Sequence, residues 1–264
     1  MADRPLVSVL LPTTGRSRFL PAALTSLLRQ DHSRWELVVV LDGGASPLLD
    51  RQLSELPDVP VRLVRTGQRQ GVAHALNTGL AVCEGDLVAR LDDDDECEPE
   101  RLSRQVRAML ARPELAVLGT GSRDIDADGN VVRHVPVPTG TALRRRMTRQ
   151  NALVHPSVML RAGPVHEVGG YPQRLRRVED YALWLALLGR YEIDNLAAPL
   201  LRRRVHPGQH SRGRPRREDL RRIAQLQAEA GRRTGRTRAQ TLAGSAWWLT
   251  GQLTGVVRYR VLAR

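Results

Sequence analysis

Four consecutive aspartates, Asp92 to Asp95, are the residues of this sequence with the clearest capacity for chemistry. Like charges this close together raise one another's pKa values, and a divalent cation would relieve the repulsion. Side chains two residues apart in an extended segment point the same way, so we expect Asp92 and Asp94 to share one hard metal ion. The alternative is a solvated acidic turn in front of the helix that begins near Pro99.

A second acidic pattern matches the first half of a calcium-binding EF-hand loop and reads Asp124-x-Asp126-x-Asp128-Gly129. Its twelfth position is Val135 instead of the bidentate glutamate, and no helical pattern flanks it. A β-hairpin turn through Asp128-Gly129 is the better interpretation. We therefore assign no calcium site.

Alternating strands and helices must position these acids. Short apolar runs predict strands at 6–11, 35–41, 61–65, 86–91 and 116–120, and helical spacing predicts helices near 21–30, 48–56, 71–83 and 98–111. Strands that are apolar throughout and alternate with helices indicate a mostly parallel sheet covered on both faces. After residue 124 the pattern predicts hairpin-like pieces, a helix at 181–188, strands near 192–195 and 200–205, a linker at 206–217, and helices at 219–232 and 241–262.

Polar residues follow the carboxyl ends of three of these strands, where open α/β sheets bind their ligands. The first strand ends at Pro12-Thr13-Thr14, the second at Asp42, and the fourth at the aspartate run. We therefore expect carboxylates from different strands to meet at one rim. The dinucleotide fingerprint G-x-G-x-x-G is missing after the first strand.

The positive charge is concentrated at the end of the chain. The 264 residues carry 41 basic and 28 acidic side chains, a net charge of +13, and residues 201–264 supply the whole excess. Every basic side chain is Arg, which excludes a Walker-A loop and a pyridoxal Schiff base because both need Lys. Aromatic residues are scarce, which counts against single-stranded nucleic acid. We expect no nucleic-acid partner, although the Arg-rich tail leaves nucleic-acid binding as an alternative function.

Length and composition predict one globular domain of ordinary size with an appendage. The two cysteines suggest no disulfide framework, no signal-peptide pattern is visible, and no apolar run reaches 18 residues. We expect a cytoplasmic protein without a membrane-spanning helix.

Residues 242–257 form an uncharged stretch in the basic tail. With helical spacing, one face would carry Leu242, Ala246, Leu249, Leu253 and Val256, with Trp247 and Trp248 beside it. One interpretation is an interfacial helix that binds an anionic membrane surface through residues 242–264, peripherally on the inner face of the plasma membrane. The other, which we favour, is a helix packed on the body or on a second subunit in a homodimer.

Seven segments in order resemble glycosyltransferase family 2: VSVLLPTTGR, ELVVVLDGG, RQGVAHALNTGL, GDLVARLDDDDECEPERLSRQ, HPSVMLR, EVGGYPQRLRRVEDYALWLALL and LLRRRVHPGQHS. The resemblance covers about residues 5–211. It implies an α/β fold of the GT-A type, with a Rossmann-like mostly parallel sheet flanked by helices. It also implies a nucleotide-sugar-binding half at 1–123 and an acceptor half at 124–211. Residues 212–264 lie outside the resemblance, and their composition predicts an Arg-rich helical extension.

The resemblance implies an inverting hexosyltransferase that uses Mg or Mn. A nucleotide diphospho-sugar would be the donor, and a hydroxyl of a glycan or lipid-linked acceptor in cell-surface glycan or glycolipid synthesis would receive the sugar. The donor-side residues it implies are Pro12, Thr13, Arg16, Asp42, Gly71, Ala75, Asn77, Asp92 and Asp93. Leu76 replaces an Arg that many members have.

The resemblance also assigns the metal and the base. Asp92 and Asp94 match the D-x-D pair, and His206 matches a late histidine that in some relatives joins the metal or the diphosphate. Glu179 and Asp180 match an acidic pair in which Asp180 is the base. The chemistry is consistent, because one metal on the leaving phosphates and one carboxylate for the acceptor proton suffice for a single inverting displacement.

Each of these residues also has a purely structural interpretation. Asp180 precedes an amphipathic helix pattern and would serve as its N-cap. His155 is more simply a structural histidine than a ligand, Trp184 is most simply a core residue, and His206 is equally compatible with a linker. A homologue that binds nucleotide sugar without catalysis is a further alternative. A nucleotidyltransferase is disfavoured, because it normally has a Lys-bearing phosphate loop near the N-terminus.

Overall fold

The computed structural model describes residues 5–175, 177–206 and 215–254. Within these residues the strands are β1 (Val7–Thr13), β2 (Trp35–Leu41), β3 (Val61–Arg65), β4 (Leu87–Arg90), β5 (Glu96–Cys97), β6 (Leu115–Ile125), β7 (Val131–Val135), β8 (Met159–Arg161) and β9 (Glu192–Arg204). The helices are α1 (Leu20–Leu28), α2 (Pro47–Ser54), α3 (Val72–Leu80), α4 (Arg101–Ala111), α5 (Gly140–Met147), α6 (Ala162–Glu167), α7 (Glu179–Leu187), α8 (Arg217–Arg233) and α9 (Arg238–Thr254).

All these strands join one sheet in the order β3-β2-β1-β4-β8-β6-β9-β5, with β7 paired to β6. The four strands β3, β2, β1 and β4 are parallel, as the alternating pattern predicts. Antiparallel pairs enter at β8, which lies between β4 and β6, while β6 and β9 are again parallel. The carboxyl ends of β1, β2 and β4 therefore lie at one edge of the sheet.

Both faces of the sheet are buried, which explains why its central strands are apolar throughout. Val9 and Leu11 of β1 belong to a core cluster with residues of α1 and α4. Leu10, which points the other way, belongs to a cluster with residues of α3, α7 and α8. Alternate residues of one strand thus fill two separate cores.

The segment with the EF-hand-like pattern is a β-hairpin, as predicted. β6 and β7 pair antiparallel around it, and Gly129 adopts a positive φ of 90° in the turn. Asp126 accepts hydrogen bonds from the backbone N–H groups of Asp128 and Asn130, so it stabilises the turn itself.

Several predicted boundaries are corrected by tertiary pairing. The fourth helix begins at Arg101 instead of 98, because Glu96–Cys97 forms the short strand β5 against β9. The two strands predicted at 192–195 and 200–205 are one strand, β9, whose register against β6 shifts around Gly121. Because the register shifts, the residues between 195 and 200 remain part of the same strand.

The helices after the predicted linker pack on the body. Of the linker at 206–217, residues 207–214 lie outside the described residues, as do 255–264 at the end of the tail. Ile223, Leu226 and Ala230 of α8 and Trp248 of α9 are buried in the same core as α7. For the stretch from residue 242, the structure therefore shows packing on the body, one of the two arrangements in the favoured interpretation; it does not test a second subunit or a membrane.

The apolar face predicted for the tail packs only in part: Leu249 lies against the core, and the side chains of Leu253 and Val256 lie outside the part of the chain that the structure describes. Leu242 and Ala246 are exposed, whereas Thr241, Ser245 and Trp248 are buried. None of the helices that the structure describes is long and apolar enough to cross a membrane.

Candidate active site

The aspartate run forms a tight turn at the carboxyl end of β4. The Asp95 N–H donates to the Asp92 carbonyl over 3.3 Å. The segment was predicted to be extended, and this prediction is wrong. The turn brings oxygen atoms of Asp92, Asp94 and Asp95 to within 4.8 Å of one another. Asp92 and Asp94 thus lie together as expected, but because of a turn, and the same turn adds Asp95.

Asp93 points away from this group and connects to the first strand. Thr13 Oγ1 donates to its carboxylate, and Ser17 Oγ donates to its carbonyl over 3.0 Å. Burial raises the pKa of Asp93 to about 7, the charges of Asp92 and Asp94 add to the rise, and the Thr13 hydroxyl opposes it. The loop after β1 is thereby fixed against the aspartate turn.

The predicted donor residues in that loop differ in exposure. Pro12 is buried within β1, Thr13 is buried against Asp93, and the side chain of Arg16 is exposed to solvent. Gly15, between them, has a φ of 69°, and a Cβ there would lie 2.6 Å from Ser46 Oγ. Only glycine suits this close approach of two loops.

Asp95 is a candidate ligand that the sequence analysis did not select. Its side chain is buried, its Oδ1 accepts from the Arg204 N–H over 2.8 Å, and its Oδ2 has no hydrogen-bond partner among the described residues. Burial raises the pKa of Asp95 well above its ordinary value, and repulsion from Asp94 and Asp92 adds to the rise. A turn spacing of three residues, instead of the extended spacing of two, would have pointed to it.

His206 completes the group from the end of β9. Its Nε2 lies 2.9 Å from Asp94 Oδ2, and its ring packs on Phe19 with centroids 5.1 Å apart. Arg204, two residues earlier, donates to the Asp94 carbonyl and lies over the same Phe19 ring. The strand end is therefore held against the aspartate turn by several contacts.

This donor set fits a divalent cation. Three carboxylates converge, and one of their oxygens, Asp95 Oδ2, is buried without a partner among the residues that the structure describes. Oxygen donors of this kind suit Mg or Mn. The residues that would hold the ion are Asp92, Asp94, Asp95 and His206.

Asp42, at the end of β2, holds the next loop of the same rim. Its Oδ1 accepts from the Gln70 N–H over 2.8 Å and its Oδ2 from the Gly71 N–H over 2.9 Å. Gly71 has a φ of 96° and open space where a side chain would be. The carboxylate therefore shapes the backbone that leads into α3.

The other residues predicted in α3 are not brought to the rim. Ala75 and Leu76 are fully buried in the core. Asn77 binds the backbone of Tyr171, donating from Nδ2 to its carbonyl over 2.7 Å and accepting from its N–H at Oδ1 over 2.8 Å. The structure thus shows the Asn77 amide linking α3 to the loop before α7.

Asp180 lies in the first turn of α7 and is not the N-cap, which is Val178. Its Oδ2 accepts from Asn151 Nδ2 over 2.7 Å and its Oδ1 from the Tyr181 N–H over 2.6 Å. Burial raises the pKa of Asp180, and both hydrogen bonds oppose the rise. Helix α7 is buried on nearly all sides, so the prediction that it is amphipathic is wrong.

Glu179 precedes it in a different environment. Burial raises the pKa of Glu179 to about 7, helped by the charge of Asp180, and its Oε2 has no partner in the described part of the chain. Arg177, just before, has a φ of 73° and is the one non-glycine residue with positive φ among those described. Such backbone strain often occurs at functional sites.

Arg90 acts on both groups of carboxylates. Its buried guanidinium forms an ion pair with Asp92, while Nε and Nη1 have no partner among the residues described. Its charge also lowers the pKa values of Glu179 and Asp180 against the effect of burial. The aspartate turn and the acidic pair of α7 therefore share one buried cation.

Trp184 is a core residue and His155 a partly buried structural histidine, as the simplest interpretations predict. His155 Nε2 lies 2.9 Å from the Tyr171 hydroxyl, and its ring packs edge-on against Trp184. Burial lowers the pKa of His155 well below its ordinary value, and the charge of Arg90 adds to the effect.

Comparison with known sequences identifies a family and a relative. Residues 8–168 match the sequence model described as Glycosyl transferase family 2. The O-antigen biosynthesis glycosyltransferase WbnJ of Escherichia coli is 28% identical over 205 residues, which are 76% of this chain and 80% of that protein.

Two solved structures share the fold. The crystal structure of S. aureus TarS 1-349 in complex with UDP-GlcNAc has a TM-score of 0.74 at 19% identity, covering 96% of this chain and 74% of that one. The mannosyltransferase PcManGT from Pyrobaculum calidifontis, in complex with GDP-Man and Mn2+, has a TM-score of 0.65 at 17% identity, covering 97% and 73%. These likenesses confirm the predicted α/β fold of the GT-A type.

Proposed function

This chain belongs to glycosyl transferase family 2 and is a glycosyltransferase, and from that premise we propose that it is a metal-dependent, inverting enzyme. The proposal rests above all on the convergence of Asp92, Asp94 and Asp95 with His206 at the carboxyl end of β4. A site of this composition suits a cation bound to a diphosphate.

We propose a nucleotide diphospho-sugar as the donor. Two proteins with the same fold bind UDP-GlcNAc, or GDP-Man with Mn2+. In this chain the rim formed by the loop after β1, by Asp42 and by the aspartate turn would receive the nucleotide and its phosphates. The proposed halves are 1–123 for the donor and 124–211 for the acceptor.

The proposed base is Asp180. As the acceptor oxygen attacks the anomeric carbon, the bond from that carbon to the phosphate oxygen breaks and the nucleoside diphosphate leaves. The acceptor proton passes to Asp180, whose carboxylate is oriented by Asn151 and by the Tyr181 N–H. A bound cation would supply charge neutralisation of the leaving phosphates. One displacement from the opposite side inverts the anomeric configuration.

The burial of Asp180 suits this role. A raised pKa makes a carboxylate a stronger proton acceptor, while Arg90 and the two hydrogen-bond donors keep the ionised form accessible. We place Glu179 beside it as a supporting acid whose own pKa is about 7.

We propose a cell-surface glycan or a lipid-linked glycan as the acceptor. O-antigen synthesis by the E. coli relative supports a role in envelope polysaccharide synthesis. We further propose that the enzyme is cytoplasmic and acts at the inner face of the plasma membrane.

The test is transfer from UDP- and GDP-sugars with Mn, measured as release of the nucleoside diphosphate. Asp180→Asn and Asp94→Asn should each lower the rate at least about a hundredfold without changing the melting temperature by more than a few degrees. Asp128→Asn, in the exposed hairpin turn, is the matched control and should keep the wild-type rate. If a folded Asp180→Asn variant transfers sugar at the wild-type rate, Asp180 is not the base.

A further inference from the structure

Helix α9 packs on the body through its small and polar residues. Thr241, Ser245 and Trp248 are buried, together with Gly244 and Gly251. The approach to α8 is close, because a Cβ on Gly231 would lie 2.6 Å from Thr241 Oγ1. Leu249 also packs against the core, but Leu242, Ala243, Ala246 and Trp247 are left on the outside.

The outward face of α9 is apolar and uncharged. It carries Leu242, Ala243, Ala246 and Trp247, all exposed. Leu242 is 71% and Trp247 52% exposed, and residues 239–252 include no charged side chain. Two large apolar side chains with this exposure on one uncharged helix face make that face a candidate interaction surface.

The surroundings of this face are strongly basic. The exposed Arg149 lies along α9, with its Cγ 3.1 Å from where a Cβ on Gly244 would be, and Arg238 is exposed at the first residue of the helix. Burial lowers the pKa of Arg236, and the neighbouring charge of Arg149 adds to the effect. A groove next to Arg236 is lined by Arg144, Arg145, Arg190 and Arg233 with two glutamates.

We propose that the outward face of α9 docks on a lipid bilayer that contains anionic lipid. Leu242 and Trp247 would enter the interface, and the flanking guanidinium groups would bind lipid phosphates. The argument for this occupant is charge complementarity, since Arg149, Arg236 and Arg238 flank the uncharged face and the described residues 215–254 carry 8 Arg and 3 acidic residues. A second copy fits less well, because a two-fold interface would bring the same basic surroundings face to face.

The location of α9 gives the docking a purpose, which rests on the proposed function. Trp248, on the packed face, contacts Tyr181 with ring centroids 6.0 Å apart, and Tyr181 follows the proposed base. The docking surface is therefore one layer of side chains away from α7. An acceptor with a lipid anchor would be presented next to the acceptor side of the site.

The experiment is co-sedimentation of the full chain with vesicles of phosphatidylcholine alone or with added phosphatidylglycerol. Wild type should bind the anionic vesicles, and Leu242→Glu/Trp247→Glu should weaken that binding at least about tenfold. Arg149→Gln/Arg238→Gln should weaken it about tenfold on anionic vesicles. The matched control is Leu48→Glu/Leu110→Glu, two exposed leucines on α2 and α4 with the same change in charge, and should bind as wild type does.

Three results would overturn the docking surface. The first is that wild type does not bind anionic vesicles. The second is that Leu48→Glu/Leu110→Glu loses as much vesicle binding as Leu242→Glu/Trp247→Glu. The third is that light scattering shows a dimer of wild type that only Leu242→Glu/Trp247→Glu dissociates. Nucleotide binding by calorimetry with Mn separates this proposal from the proposed function. Loss of vesicle binding with intact nucleotide binding supports the surface, whereas failure of nucleotide binding in wild type contradicts the function alone.

Discussion

Two adjacent carboxylates, Glu179 and Asp180, differ because their hydrogen-bond partners differ. Asp180 has two donors, one on each oxygen, whereas Glu179 Oε2 has no partner among the described residues. Donors stabilise the ionised form, so Asp180 is better suited to act as an anion at neutral pH. Adjacent acids with different environments are a common way to separate an acceptor of protons from a supporting group.

Glu179 should make the stability of the protein depend on pH. Its pKa of about 7 lies above the ordinary 4.5, so between these values the folded state binds more protons than the unfolded state. The free energy of unfolding therefore falls as pH rises through this window. Glu179→Gln should flatten the decline, as measured by urea denaturation at several pH values. An unchanged slope, equal to that of the exposed control Glu218→Gln, would contradict the assignment.

At the scale of elements, the Asn77 amide joins α3 to the loop before α7. It binds the backbone of Tyr171, and a Cβ on Gly170 would lie 2.6 Å from its Oδ1. Gly170→Ala should therefore break the link. Gly169→Ala is the matched control, since Gly169 also has positive φ but open space around it. We expect Gly170→Ala to lower the free energy of unfolding by about 1–3 kcal/mol more than Gly169→Ala does, as measured by urea denaturation. Equal losses in the two variants would show that the close contact between Gly170 and Asn77 is unimportant.

The two tryptophans of α9 offer a second comparison of elements. Trp248 is 3% exposed and packs on Tyr181, whereas its neighbour Trp247 is 52% exposed. Trp248→Ala should lower the free energy of unfolding by about 3–5 kcal/mol because it leaves a cavity. Trp247→Ala should change it by less than about 0.5 kcal/mol in denaturant titrations. A similar loss in both would mean that α9 does not pack as described.

The sequence predicted the elements where local pattern and tertiary role coincide. The apolar runs at β1, β2 and β4 are buried on both faces, so pattern alone located them. The aspartate turn was misjudged as extended because its conformation depends on contacts with Thr13 and Arg204, far away in the chain. For the same reason Asp95 was missed. The exposure of Leu242 was not foreseen because the close approach of α9 to α8 is made by Thr241 against Gly231, a contact that apolar spacing does not show.

At the scale of the whole molecule, charge and chemistry occupy different parts of the chain. Residues 1–200 hold 25 Arg and 25 acidic residues, and this balanced part contains the aspartate turn and α7. The predicted boundary at 211/212 stays a prediction, although α8 and α9 share a core with α7. The extension is thus an integral layer in the described structure.

The same separation predicts weak, nonspecific contact with nucleic acids. Arg side chains alone bind phosphates through an effect that decreases steeply with salt. At about 0.15 M salt we expect no shift of duplex DNA or single-stranded RNA in gels at micromolar protein. A discrete, salt-resistant complex would favour nucleic-acid binding as the function of the tail.

The contact between Trp248 and Tyr181 places the tail and the proposed base in one packed stack. If vesicle binding at α9 changes the affinity for the nucleotide by some factor, thermodynamic reciprocity requires that the nucleotide change the affinity for vesicles by the same factor. A measurement of nucleotide affinity with and without vesicles would therefore also give the change in vesicle affinity caused by the nucleotide. The sign of this coupling would tell whether the loaded or the empty enzyme stays longer at the surface.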